Sequence, residues 1–88
     1  MTAPDKGHLR ERARDAILSG KLSAETSYRA EGGPSPGGVC AVCDRELLPR
    51  ELEYEVEFDQ DTRRAAPTMF HLHVACFEAW EIERRLAR

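Results

Sequence analysis

From Glu51 to Phe58 the chain alternates strictly, with Leu52, Tyr54, Val56 and Phe58 interleaved by Glu51, Glu53, Glu55 and Glu57. A period of two is the signature of a strand, so this segment predicts a half-buried strand with an acidic outer face. After the polar connection "DQDTRRAAP", the segment "TMFHLH" returns as a second, antiparallel strand and closes a long hairpin. From Val74 the period becomes helical. In "VACFEAWEIERRLAR", Ala79, Ile82 and Leu86 form a stripe with Trp80 beside it, and Arg84, Arg85 and Arg88 suit the negative end of a helix dipole. Near the N-terminus, Leu9, Ala13, Ala16 and Ile17 recur at helical spacing between His8 and Ser19, with Arg10, Glu11, Arg12, Arg14 and Asp15 on the remaining face. This short amphipathic helix should end at Gly20. At about 12 residues it is marginal alone in water, so it docks on the rest of the chain or on a partner.

Between these elements, "KLSAETSYRAEGG" has no clear period, and "GGPSPGG" (32–38) is a Gly/Pro-rich break. The expected division is an N-terminal helix and linker over 1–38 and a main module over 39–88. The glycines do not form a phosphate loop, because no Gly-Lys-Ser/Thr follows and they lead into a cysteine pair.

Composition shows why a pattern of this kind needs a staple. The 88 residues are 33% charged and only 7% aromatic, and so short a chain buries too little surface for an apolar core to suffice easily. Three cysteines cannot all pair, and "MTAPDKGHLRERARDAILSG" has no apolar region of a secretory signal, so reduced thiols in a cytoplasm are expected. No stretch approaches the roughly 18 to 20 apolar residues of a membrane span. Charge is uneven: residues 44–61 hold eight acids against Arg45 and Arg50. That segment repels a phosphate backbone, so a nucleic-acid surface would have to be assembled from the two mildly basic ends.

The reactive side chains point to a metal. Cys40 and Cys43 form Cys-x2-Cys, a spacing that lets a tight turn aim two thiolates at one tetrahedral ion. After 29 intervening residues, His73-x2-Cys76 supplies two more ligands. Positions i and i+3 on a first helical turn share a face, which gives a suitable bite. The resulting Cys3His set favours zinc, since magnesium and calcium want oxygen ligands. Inert buried thiols and a redox pair are the alternatives, although the pair follows Gly38 and precedes the turn-like "DRELLPRE" and opens no helix.

His71 and His73 share a strand face, so alternation alone does not rank them. Spacing favours His73, since His71 lies five residues before Cys76 and a closed site needs one imidazole. His71 is left as a half-buried, surface or supporting group, and His8 as solvated. A filled site leaves no open position for water, so the zinc is expected to be structural and the chain no enzyme. Neither histidine begins His-x-Glu, which removes the deaminase pattern. Glu78, Glu81 and Glu83 read as a solvated helix face.

Cys40-x2-Cys43, the Arg/Glu-rich turn, the hairpin and "FHLHVACF" resemble the treble-clef zinc modules, in which a zinc knuckle and the first turn of a helix clamp one metal. Over about residues 39–86 the spacing looks most like the poly(ADP-ribose) polymerase-type zinc finger, with LIM modules second. The resemblance implies a small α+β fold, Cys40, Cys43, His73 and Cys76 as zinc ligands, and Phe77 packed beneath the site. It also implies DNA binding through a basic hairpin, but "ELEYEVEF" puts four glutamates where phosphate contacts need cations. The whole chain is also similar to short, uncharacterised bacterial proteins with a helix, a Gly-rich linker and this finger, which names no activity. The first functional expectation is thus a protein-interaction or regulatory module using the acidic strand face, Trp80 and the N-terminal helix. The second is a nucleic-acid surface of Arg10, Arg12, Arg14, Arg63, Arg64, Arg84 and Arg85.

Overall fold

The computed structural model describes residues 6–24, 28–58 and 69–87. The element order is α1 (Lys6–Leu18), β1 (Tyr28–Pro34), β2 (Leu52–Phe58), β3 (Met69–His73) and α2 (Val74–Leu86). The three strands form one antiparallel sheet in the order β1-β2-β3. The β2–β3 pairing and both helices fall where the hydrophobic periods predict such elements. The connection expected at 59–68, with Arg63 and Arg64, lies outside the described residues.

The stretch around "GGPSPGG" contributes more than a break. Tyr28–Pro34, where no period is visible, pairs along the whole of β2, from Tyr28 opposite Phe58 to Pro34 opposite Leu52. Backbone pairing makes this strand, so its side chains need not alternate. Gly32 lies against the Tyr54 ring, where a Cβ would make ordinary contact at 3.4 Å.

One sheet face packs on α2. Tyr54 stacks on Phe77 at 4.1 Å between centroids, and Phe58 meets both Phe70 and Trp80 edge-on at 5.8 Å. Val56, Leu72 and Trp80 are fully buried there. Alternation placed β2's two faces correctly but misjudged their exposure: Leu52 is 68% exposed, while Glu53, expected outside, is 3% exposed. The aromatic contacts of α2 begin at Tyr54, and Leu52 stands past them at the strand's end.

α1 docks on α2, burying Leu9, Ala13 and Ala16. It ends as expected near Gly20, whose φ of +82° suits glycine, and the Leu22 N–H donates to the Ala16 carbonyl to fold buried Leu22 beneath the helix. This docking corrects three expectations on α2. The buried stripe is Cys76, Ala79, Trp80, Glu83 and Arg84, whereas Ile82 and Leu86 are exposed. Trp80 offers no contact surface, being enclosed with its indole N–H donating to the Ser23 carbonyl at 3.1 Å. Glu83 is not solvated: at 3% exposure it accepts from Arg10 Nε at 2.7 Å and Arg14 Nε at 2.9 Å.

Burial pushes the Glu83 carboxyl up, but the hydrogen bonds from Arg10 and Arg14 outweigh it and hold the group below its ordinary range. Its contribution is therefore present above the usual glutamate range and fades as pH falls through the lowered value. The two arginines are largely hydrated and the carboxylate is not. Removing both cations strands a buried charge, whereas removing the acid frees two exposed ones. The double variant Arg10→Ala/Arg14→Ala should therefore cost more stability than Glu83→Ala. Urea unfolding measures this, and equal or inverted losses would show that the pairs do not hold α1 in place.

Candidate metal centre

Three segments bring their ligands to one point. The first is the turn 40–43, shaped by backbone bonds: Asp44 N–H donates to the Cys40 carbonyl at 3.0 Å and Cys40 N–H to the Arg45 carbonyl at 2.9 Å. Asp44 closes it at φ +61°, a left-handed conformation that Asp tolerates better than most residues. The turn is fastened to β3 by the Ala41 N–H, which donates to the His71 carbonyl at 2.9 Å.

The second segment is the end of β3. His73 is not on the helix but is the extended N-cap residue of α2, at φ −57° and ψ 152°. The third is the first turn of α2, which carries Cys76. The expected bite is thus kept across a strand-to-helix junction instead of within one helical turn.

Ligand atoms of Cys40, Cys43, His73 and Cys76 all lie within 4.8 Å of one another, with the three cysteines buried and His73 half-buried. His73 Nδ1 stands 3.4 Å from Cys43 Sγ and 3.9 Å from Cys76 Sγ. A tetrahedral zinc, bonded at about 2.3 Å to sulfur and about 2.05 Å to nitrogen, sets its ligand atoms about 3.5–3.8 Å apart, so the donor set fits one zinc ion.

The far side of the ring fixes its tautomer. His73 Nε2 lies 3.2 Å from the Glu46 carbonyl, which only accepts, so Nε2 carries the proton and the Nδ1 lone pair faces the sulfurs. A carboxylate oxygen of Glu51 stands 3.5 Å from the same nitrogen. Such an outer partner orients and strengthens an imidazole ligand.

The thiols themselves favour a cation. Cys40 is drawn down to about 4 by the Cys76 thiol hydrogen bond, against burial, with backbone N–H groups of Cys43, His73 and Val42 assisting. His73 N–H lies 3.5 Å from Cys40 Sγ. Burial pushes Cys43 up, and Cys76 rises because it donates to Cys40, with burial adding to the effect. Three clustered sulfurs therefore do not ionise together unless a positive charge joins them.

His71 stays outside this group. Its Nδ1 is 2.6 Å from Glu53 Oε2, on the sheet face turned away from α2. Phe77 lies one residue after Cys76 and stacks on Tyr54. The Glu46 carbonyl that orients His73 carries no side-chain signal in the sequence. Asp44 does have an additional role: it accepts from Lys21 at 2.6 Å and Arg12 at 2.9 Å, and Arg12 also donates to the Cys43 carbonyl, tying the N-terminal arm to the turn. Lys21's hydrogen bond holds the Asp44 carboxyl below its ordinary range.

No family model matches the chain, and neither a curated protein nor a solved structure matches it. The zinc-finger resemblances therefore rest on ligand spacing and on the Cys3His cluster. No helix among the described residues is long and apolar enough to cross a membrane.

Two measurements check the ligand set. With one equivalent of zinc, His73→Ala should retain far less metal than His71→Ala after gel filtration; the reverse ranking would transfer the ligand role to His71. A high-affinity chelator should abolish cooperative thermal unfolding followed by circular dichroism, because a site of this type contributes about 10–16 kcal/mol. An unchanged midpoint would remove the metal from the stability of the fold.

Proposed function

We propose that the chain is a treble-clef-like structural zinc module, with Cys40, Cys43, His73 and Cys76 as ligands, that acts in the cytoplasm by holding a protein-binding surface. The order of turn, hairpin and helix, with ligands on the turn and at the strand-to-helix junction, supports the treble-clef reading. Four protein ligands fill a tetrahedral zinc, so this site is structural and leaves no open position for catalysis.

The observation that favours a protein over a nucleic acid is the internal use of the two helices' arginines among the described residues. Arg10 and Arg14 bind Glu83, Arg12 binds Asp44 and the Cys43 carbonyl, and Arg84 binds Glu81 and lies 5.5 Å over the Trp80 ring. Arg85 reaches Glu81 at 3.5 Å. A nucleic acid would have to break these pairs to reach the cations, while facing the acids of β2. The apolar side chains left exposed are more suitable. Val39 and Leu48 lie on loops 35–39 and 46–51 and Leu52 opens β2; the two loops are laced by hydrogen bonds from Leu47 to Gly38, Arg50 to Ser35 and Ser35 to Glu51.

Retention on a nucleic-acid matrix discriminates the two readings. The zinc-loaded chain should pass through at low salt. Retention that falls steeply with salt would establish phosphate contacts and overturn the protein-surface reading.

A further inference from the structure

The sheet face turned away from α2 carries a second convergence of metal-ligating atoms. Glu55 on β2 stands directly opposite His71 on β3 and Glu31 on β1, and Glu53 lies one same-face step along β2. A ligand atom from each of Glu53, Glu55 and His71 lies within 4.8 Å of the other two.

Glu53 distinguishes this group from an ordinary acidic surface. Its side chain is 4% exposed, and it is directed into the group, with Oε2 at 2.6 Å from His71 Nδ1. The other oxygen, Oε1, is buried and has no hydrogen-bond partner among the described residues. Buried carboxylate oxygens are normally satisfied, and one left bare beside an imidazole and a second carboxylate is in the position of a ligand awaiting a cation. The Glu31–Glu55 pair adds to the same need, because like charges directly opposite one another across a sheet repel. The Cys3His group uses none of these side chains.

We propose that Glu53, Glu55 and His71 form a second metal site, one that takes a divalent first-row transition ion through two carboxylates and one imidazole. The donor set defines the class. An imidazole disfavours magnesium and calcium, and the absence of thiolate from the group separates its preference from that of the cysteine site. Three protein ligands leave coordination positions for water or for an oxygen ligand of a partner, whereas the cysteine site is closed. This gives His71 a role independent of His73, although the two project from the same face of β3.

The test uses the full chain carrying one zinc per molecule, with Mn(II) as the probe because it takes oxygen and nitrogen donors and does not compete for three thiolates. Loss of the free Mn(II) signal in electron paramagnetic resonance should show one Mn(II) bound per chain. Glu53→Gln, Glu55→Gln and His71→Ala should each weaken that binding at least about tenfold while keeping one zinc. Glu57→Gln, on the same face but outside the group, should leave it unchanged. If the zinc-loaded chain takes up no Mn(II) at millimolar concentration, or if the three variants that keep their zinc bind it as the parent does, Glu53 and His71 are only an ion pair and the proposal is overturned. Glu55→Gln keeps the test decisive should the buried Glu53→Gln variant fail to fold, since Glu55 is half-buried.

Discussion

Four side chains from three separate segments have to meet at one point: Cys40 and Cys43 on a turn, His73 at the end of β3, and Cys76 in the first turn of α2. The turn is joined to β3 by one backbone bond from Ala41, and β3 runs straight into α2. A cation at the convergence therefore fixes the turn, the hairpin and the helix relative to one another. Without it, a group of thiols has one member that ionises readily and two that resist. A metal contribution of about 10–16 kcal/mol is as large as the net stability of a small domain, about 5–15 kcal/mol. The aromatic layer of Tyr54, Phe58, Phe70, Phe77 and Trp80 packs the same junction of sheet and helix.

The N-terminal arm extends this arrangement by packing on α2. Leu9, Ala13 and Ala16 cover the helix, and the charges that flank them are matched to single acids: Glu83 for Arg10 and Arg14, Asp44 for Arg12 and Lys21. Asp44 is well exposed, so its pairs add little stability and chiefly set where the arm lies. The Glu83 pair differs because its carboxylate is dehydrated. A helix with this many arginines looks basic in the sequence, yet much of its charge is neutralised within the chain.

The features legible in the sequence are those written in local periodicity or ligand count. β2 announced itself by alternation, α2 by a change of period at Val74, and the metal centre by two ligand pairs that together make four. The rest depends on what each element meets. β1 has no side-chain period because backbone pairing with β2 makes it a strand. The helical period predicts Ile82 and Leu86 in the buried stripe of α2, but α1 approaches on the side of Ala79 and Glu83, and no pattern within α2 specifies that direction. Alternation predicts a solvent-facing Glu53 because it gives the face of a residue and not the depth of cover over it. Once β2 and β3 are paired, however, register alone puts the glutamates of one strand beside the histidines of the other.

That register accounts for the different environments of two histidines in one five-residue strand. Glu53 stands opposite His73 and Glu55 opposite His71, so both imidazoles leave the sheet among carboxylates. His73, at the strand's end, turns Nδ1 to the sulfurs and is held from behind by the Glu46 carbonyl. His71, two residues earlier, has no cysteine within its group and turns Nδ1 to Glu53. The step of two residues separates a soft, closed donor set, suited to holding the fold, from a hard, three-ligand set with room for a further ligand. A sheet built to anchor one site thus presents the donors of another on its outer face, and any chemistry beyond structural support would have to arise where coordination is incomplete.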